Sequence, residues 1–456
     1  MENTTNYSKE KDARLCVVMV GLPARGKSFI AQKITKYLSW LGIHCRYFGH
    51  SDYRRSNLGV VHPHAEFYDF DDKNATAIRK RALELALQDI VNWFDEKQVD
   101  NHVAVLDGTN CSRRRRQWII RYCERHNISP MFLESWCDRP DIIKENIEDI
   151  IRTSPDYEGR DIDEAREDFL SKLHKFEDIY ETLDRRIDEN VTFVKMINES
   201  QRIILNRIET YLESRIVFYV MNLRIKPKCI WLSRHGESIY NVEQKIGGDS
   251  SLSERGLKYA KKLKELIQRN AGGAELSVWT STLKRTNETA QFLDFKKIQW
   301  KALDELDAGV CDGMTYEEIE REYPEDFKAR DEDKYEYRYR GGESYRDIVN
   351  RLEPVIMELE RQENILIITH QAVLRCLYAY FMSVPQEESP WMSIPLHTLI
   401  KLEPRAFCTK VQRIKAHIPA VSTYKEKGTS HVGESASPST GPRNLLVGSP
   451  EISQSE

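Results

Sequence analysis

Four separated segments carry the residues with the clearest capacity for chemistry. His235 stands between Arg234 and Gly236, just after the apolar run Ile230-Trp231-Leu232. An imidazole placed there can act as a nucleophile, with the adjacent guanidinium holding an incoming phosphoryl group. Arg285 lies in Trp279-Thr280-Ser281-Thr282-Leu283-Lys284-Arg285-Thr286, Glu305 in Leu303-Asp304-Glu305-Leu306-Asp307-Ala308-Gly309, and His370 at the end of the run Ile365 to Thr369. Together these residue types meet the needs of phosphoryl transfer without a metal. Two arginines and a second histidine serve the equatorial oxygens, and a carboxylic acid protonates the leaving alkoxide. His370 alone would read equally well as a strand-end histidine bonded to backbone; the presence of all four segments is what points to a site.

A second chemistry opens the chain. Gly21-Leu22-Pro23-Ala24-Arg25-Gly26-Lys27-Ser28 fits G-x-x-x-x-G-K-[ST], between the apolar run Leu15 to Val20 and a stretch of helical spacing from Ser28 to Leu41. In that context backbone N–H groups and the helix N-terminus cradle phosphates, Lys27 reaches the outer phosphates and Ser28 ligates magnesium. Asp107 ends the run Val103 to Leu106, where a carboxylate faces the phosphate loop and can orient magnesium or accept a substrate proton; a turn or N-cap aspartate is the plain alternative. The basic run Arg113 to Arg116 suits phosphate contact and a solvated helix face equally.

These groups need rigid elements behind them. The strand, glycine loop and helix at the start, followed by buried strands at Val103 to Leu106 and Met131 to Leu133 with charged helices after each, predict a doubly wound α/β domain over residues 14–225. Ile203 to Tyr219 reads as one long helix, and Lys226-Pro227-Lys228 breaks the pattern. Residues 226–420 repeat the alternation, with strands at Ser277 to Trp279 and Ile365 to Ile368, a helix from Thr286 and another through Arg375, predicting a second α/β domain. Residues 1–13 form a polar extension, and 421–456 a Ser, Gly and Pro-rich tail that reads as disordered. Ser437-Pro438 and Ser449-Pro450 in that tail could accept phosphate from a proline-directed kinase; an unmodified linker is the plain alternative.

The 456 residues, 40% hydrophobic and 31% charged, are enough for two domain cores and a tail. A formal net charge of −4 with intermixed signs excludes a dedicated nucleic-acid surface. No apolar run has the length of a signal peptide or a membrane span, so a soluble, cytoplasmic protein is expected. Nine scattered cysteines, with no paired C-x-x-C pattern, fit reduced thiols. A homodimer is one assembly open to such a chain.

A phosphate-loop domain followed by a histidine phosphatase domain resembles the 6-phosphofructo-2-kinase/fructose-2,6-bisphosphatase family over residues 14 to about 420. The segments SRHGESIYN, KIGGDSSLSERG, WTSTLKRT, LDELDAGVCDGMTYEEI, RYRGGESY and ITHQAVLRC are similar in detail to the fungal fructose-2,6-bisphosphatases. The resemblance implies a phosphoglycerate mutase-like fold for the second domain. It also implies that His235 takes the 2-phosphoryl group of fructose 2,6-bisphosphate, that Glu305 acts as general acid and then base, and that Arg234, Asn241, Arg285 and His370 hold the phosphoryl group. Contacts to the sugar and its 6-phosphate would fall to Gly247, Tyr316, Arg330, Lys334, Tyr345, Gln371 and Arg375, releasing fructose 6-phosphate and so controlling glycolysis against gluconeogenesis.

In the first domain the resemblance places Mg-ATP at Gly21, Gly26, Lys27, Ser28 and Asn146, with Asp107 as catalytic candidate and Arg79 and Thr109 as sugar-binding candidates. Three positions depart from the family. Ile151 replaces a basic residue and offers no donor, Lys172 replaces an arginine and Phe176 a tyrosine. Losing one charge-assisted contact costs roughly 1.5 to 3 kcal/mol, or about 10- to 150-fold. Arg152 is a neighbour that could compensate, but it points about 100° away on a helix. The expectation is a phosphatase with a weak or inactive kinase half. A balanced bifunctional enzyme, a broader histidine phosphatase or mutase and a non-catalytic nucleotide sensor are the alternatives.

Overall fold

The computed structural model describes residues 14–96, 102–224, 228–273, 275–404 and 409–423. The N-terminal extension, the break at Lys226-Pro227, Cys408, and Ser437 and Ser449 of the tail lie outside the described residues. Residues 421–423, which the sequence assigns to the tail, are described; Val421 N donates to Glu237 Oε1 at 2.9 Å.

The first half of the chain builds a six-stranded sheet from β1 (Arg14–Val20), β2 (His44–Gly49), β3 (His102–Asp107), β4 (Ser129–Trp136), β5 (Phe193–Ile197) and β6 (Arg202–Asn206). Their spatial order is β2-β3-β1-β4-β5-β6. The first five run parallel, and β6 pairs antiparallel at the edge. Parallel strands covered on both faces must be apolar on both, which is why Leu15 to Val20 and Val103 to Leu106 are buried without alternation. One correction follows. Ile203 to Tyr219 is not a single helix: Ile203-Ile204-Leu205 belong to β6, and the helix runs Tyr211–Asn222 from a capping box of Thr210 and Glu213.

The second half builds another six-stranded sheet from β7 (Cys229–Arg234), β8 (Ser277–Thr280), β9 (Lys297–Gln299), β10 (Asn364–Thr369), β11 (Thr398–Pro404) and β12 (Thr409–Lys415), in the order β12-β11-β7-β10-β8-β9. β7, β10, β8 and β9 are parallel, and β11 joins antiparallel beside β7. β7 and β10 are therefore adjacent, in register from Cys229 opposite Asn364 to Arg234 opposite Thr369. Adjacent parallel strands end side by side, so the residues that follow them, His235 and His370, emerge together at one edge of the sheet.

The two sheets share an apolar core. One cluster runs from Leu15, Val17 and Met19 through the helix Lys27–Trp40 and the helix Tyr211–Asn222 to Tyr345, Val355, Cys376 and Ile230. Buried polar bonds cross the same seam. Lys33 and Lys228 each reach a carboxylate oxygen of Glu360 at 2.7 Å, and Tyr380 OH donates to Glu360 at 2.6 Å. The two cations hold the Glu360 carboxyl far below its ordinary range despite complete burial. Trp40 Nε1 donates to Cys376 O at 3.0 Å. The helix that leaves the phosphate loop thus packs against the helix Gln371–Met382 that follows His370.

Candidate functional site

The loop after β7 is fixed amide by amide. His235 N donates to Thr369 O at 3.0 Å, Gly236 N to Thr289 Oγ1 at 2.9 Å, Glu237 N to His397 Nε2 at 3.0 Å and Ser238 N to Asn241 Oδ1 at 3.0 Å. His235 Nδ1 lies 2.7 Å from Gly236 O. A carbonyl only accepts, so Nδ1 carries the proton and Nε2 keeps its lone pair. Burial, aided by Arg285 and Arg234, pushes the His235 pKa well below the ordinary imidazole value and keeps the ring neutral near pH 7.

His370 faces it, with ring centroids 5.1 Å apart. Its Nε2 lies 2.8 Å from Ser281 Oγ, and no described group bonds its Nδ1. Burial and Arg285 lower its pKa as well. Arg234 is buried, donating from Nη1 to Ile394 O at 3.1 Å and to Thr423 Oγ1 at 2.7 Å, while its Nε has no partner among the described residues. Burial lowers the Arg234 pKa to about 9, partly offset by Glu305. Arg285 Nη1 donates to Gly248 O at 2.7 Å, and burial again lowers its pKa. Glu305, half-buried, accepts from the amides of Gln371 at 3.2 Å and Ala372 at 3.3 Å, at the positive end of the helix Gln371–Met382. Arg351 steadies that loop through the carbonyls of Asp304 and Glu305 at 2.7 and 3.2 Å.

The predicted sugar-contact residues form a connected wall beside these groups. Arg330 donates to Tyr339 OH at 2.9 Å and Tyr316 OH at 3.1 Å, and Arg375 Nη1 donates to Tyr345 OH at 3.0 Å. Gln371 Nε2 donates to Thr423 O at 3.4 Å. Gly247 has φ 69°, and a Cβ there would lie 1.7 Å from Asp312 Oδ1, so only glycine fits.

A feature with no sequence signature links the wall to the core. The carbonyls of Pro390, Met392 and Ile394 accept from Lys334 at 3.2 Å, Arg375 at 2.8 Å and Arg234 at 3.1 Å. Pro390 lies at the end of the short 3-10 helix Gln386–Trp391 and Met392 leaves it in extended conformation, so the end of that turn and the segment after it orient three cations. Thr289, Ser281 and His397 were also unmarked by the sequence. Ser281 sits in the Arg285 segment and Thr289 one helical turn after Arg285, so both could have been found there, whereas nothing around His397 sets it apart.

The phosphate-loop region is arranged differently. Gly21, Ala24 and Gly26 have φ of 137°, 56° and 73°, and a Cβ on Gly21 would meet Ser135 O at 2.4 Å. Gly21 N donates to Thr109 O at 2.9 Å, and Asn146 Nδ2 donates to Ala24 O at 3.1 Å. Lys27 is buried, donates to Leu22 O at 2.6 Å and has a pKa lowered to about 8 by that burial. Ser28 follows it, half-buried, in the first turn of the helix. Asp107 accepts from Tyr47 OH at 2.8 Å on one oxygen, and its other oxygen is buried without a described partner. A tight glycine loop at a helix start, a buried lysine and an uncommitted carboxylate oxygen fit a nucleotide triphosphate with its cation.

Other basic groups of this half, Arg54 and Arg55 among them though unmarked in the sequence, are committed to the protein. Arg79 donates to Phe67 O, Asp69 O and Thr76 Oγ1. Arg54 and Arg55 hold Asp156, at 2.6 and 2.5 Å. Ile151 is buried with Ala24, Ile147, Tyr157 and Phe169, and Arg152 is exposed beside Glu148. Lys172 sits 4.3 Å over the Tyr68 ring, and Phe176 packs on Tyr68 and Cys111. Of the run Arg113 to Arg116, Arg116 is buried on the carbonyl of Cys111 and Arg113 lies near Glu181 and Asp188, so the run is neither a uniform phosphate patch nor a wholly solvated face.

Residues 2–227 match the family model described as 6-phosphofructo-2-kinase, and residues 230–417 match the histidine phosphatase superfamily, branch 1. A fructose-2,6-bisphosphatase of Saccharomyces cerevisiae is 65% identical over 446 residues, covering 98% of each chain. The 6-phosphofructo-2-kinase/fructose-2,6-bisphosphatase 1 of Homo sapiens is 47% identical over 411 residues, 90% of this chain and 86% of that one. The corresponding protein of Aquarana catesbeiana is 47% identical over 90% of this chain and 87% of its own. Identity of this extent across both halves makes the chain a member of the 6-phosphofructo-2-kinase/fructose-2,6-bisphosphatase family.

Proposed function

We propose that this protein hydrolyses the 2-phosphate of fructose 2,6-bisphosphate through a phosphohistidine on His235, and so acts on the balance between glycolysis and gluconeogenesis. The observation that carries the reading is the pairing of two neutral, buried imidazoles 5.1 Å apart, one with its Nε2 lone pair freed by the Gly236 carbonyl. His235 Nε2 attacks phosphorus as the bond from phosphorus to the sugar O2 breaks. A protonated Glu305 gives its proton to O2, and fructose 6-phosphate leaves. Glu305 then takes a proton from water, whose oxygen attacks phosphorus, and Nε2 leaves with its electron pair, regenerating neutral His235 and phosphate. Arg234, Arg285, His370 and Asn241 stabilise the equatorial charge in both steps.

Tyr316, Arg330, Lys334, Tyr345, Gln371, Arg375 and Gly247 form the sugar and 6-phosphate side of the same reading. Protein mixed with substrate labelled in the 2-phosphate is expected to trap an acid-labile phosphoenzyme, and label retained by a His235→Ala variant would overturn the assignment.

In the first half the reading is ATP binding on Gly21, Gly26, Lys27 and Asn146, magnesium on Ser28, and weak or absent kinase turnover, with Asp107, Arg79 and Thr109 as remnants of the transfer site. A balanced bifunctional enzyme is the second reading, favoured by the uncommitted oxygen of Asp107. ATP-dependent formation of fructose 2,6-bisphosphate by the His235→Ala variant decides between them. Cytoplasmic residence is supported by the eight described cysteines, all free, and by the absence among described residues of any helix long and apolar enough to cross a membrane. A homodimer and phosphorylation at Ser437 or Ser449 complete the reading, tested by sedimentation and by incubation with a proline-directed kinase.

A further inference from the structure

His397 lies outside every motif, on the residue before β11, yet it touches the loop that carries the nucleophile. It is 3% exposed with φ 54°, a left-handed conformation uncommon outside glycine that histidine adopts more readily than most side chains. Its ring stacks on Tyr259 at 4.7 Å and 17°. Tyr259 OH in turn bonds Ser233 Oγ at 2.7 Å, one residue before Arg234. Both ring nitrogens are engaged, and the partners dictate their roles. Glu237 N is a donor 3.0 Å from Nε2, so Nε2 accepts; Ile418 O is an acceptor 3.1 Å from Nδ1, so Nδ1 carries the proton. Burial lowers the pKa of this imidazole, in keeping with a neutral ring.

The amide that His397 accepts from belongs to the peptide unit joining Gly236 to Glu237. The carbonyl of that same unit accepts from His235 Nδ1. A peptide unit is planar and rotates as one piece, so fixing its N–H fixes its C=O. A single hydrogen-bonded row therefore runs from His235 Nδ1–H through the Gly236–Glu237 peptide to His397 Nε2, and from His397 Nδ1–H to Ile418 O. We propose that His397 is a positioning residue for the phosphotransfer, locking the peptide plane that holds His235 as the Nδ1–H tautomer with Nε2 free to attack. The role extends past the ground state. When Nε2 bonds phosphorus the His235 ring becomes cationic with its proton still on Nδ1, and Gly236 O then receives a charge-assisted bond. An acceptor on the far side of the same peptide strengthens that carbonyl, as hydrogen bonds in a row polarise one another.

The inference rests on the phosphatase reading, and its test separates the two. His397→Phe keeps a ring over Tyr259 without an acceptor, and His397→Gln places an amide oxygen near the position of Nε2. The Phe variant is expected to lose about five- to tenfold in kcat and in phosphoenzyme formation, with KM within about twofold, and the Gln variant to regain most of it. NMR of 15N-histidine-labelled protein, which needs no substrate, is expected to show His235 protonated at Nδ1 alone in the parent and in Gln, and as mixed tautomers in Phe. Should the Phe variant not fold, His397→Asn, whose amide reaches the Ile418 carbonyl but not Glu237 N, gives the same comparison with Gln. An unchanged His235 tautomer in Phe or Asn, or a Gln variant as impaired as they are, overturns the proposal. Failure of the parent to trap label on His235 would instead overturn the phosphatase reading and leave the tautomer result standing.

Discussion

The two halves of this chain differ in how some of their cations are held. Around His235, Arg234, Arg285 and Arg375 are each held by a backbone carbonyl, a neutral partner that orients the guanidinium without cancelling its charge. In the first half, Arg54 and Arg55 are held by the Asp156 carboxylate and Lys172 covers an aromatic ring, while Lys27 and Arg79 rest on backbone carbonyls as the arginines near His235 do. Neutral anchoring keeps a site ready for an anion, whereas ion pairing inside the protein satisfies the cation before substrate arrives. The contrast teaches that intact residue types are not enough; what matters is what else each charge is doing.

The contrast breaks most sharply at His235. His235→Ala is expected to lower phosphatase turnover by more than about 10³-fold while leaving ATP-analogue binding at Lys27 unchanged, read by isothermal titration. Glu305→Gln keeps the amide contacts of Gln371 and Ala372 within reach but has no proton to give, and should lower phosphoenzyme formation by about 10²- to 10⁴-fold in rapid-quench measurements. The loop half is sharpened by Ile151→Lys in the His235→Ala background. A gain of about tenfold in kinase activity is expected, below the full value of a charge-assisted contact, because residue 151 sits among apolar side chains and a lysine there costs about 1 to 3 kcal/mol of stability.

Two pH effects are smaller. With Lys27 lowered to about 8 from its unfolded value near 10.5, the free site is neutral above pH 8, and a phosphate ligand must reprotonate it. Affinity for an ATP analogue should fall by about tenfold per unit above pH 8, and binding there should take up protons in buffers of different ionisation enthalpy. The folded chain also holds His50 at about 4 by burial, and His235 and His370 well below the ordinary value. The unfolded chain binds protons near pH 6.5 that the folded chain does not, so stability falls as pH falls below that point. The expected loss is about 1 kcal/mol per histidine between pH 6.5 and 5.5 in urea unfolding.

Legibility from sequence followed context as much as length. The apolar runs leading to Gly21, Asp107, His235 and His370 each end at a residue with evident chemistry or turn character, and all four are interior strands of their sheets. Ile203-Ile204-Leu205, at the start of the expected helix, suits either period as three adjacent apolar residues; pairing with β5 across the chain, from Phe193 opposite Asn206, decides it as strand. Ile151 was flagged as a missing donor, and the structure adds that it belongs to a buried apolar cluster.

By itself the sequence determined the kinds of chemistry this protein holds, because a nucleophile, an acid and phosphate-loop glycines are chosen by side-chain type, and type is written residue by residue. Tertiary structure alone decided that β7 and β10 lie side by side and bring His235 to His370, and that Pro390 to Ile394 turn three carbonyls toward three cations. It alone set His397 against the peptide beside His235, 160 residues along the chain. A contact between residues so far apart leaves no periodicity or spacing to read, since it comes from the packing of whole strands and helices rather than from any local preference of the chain.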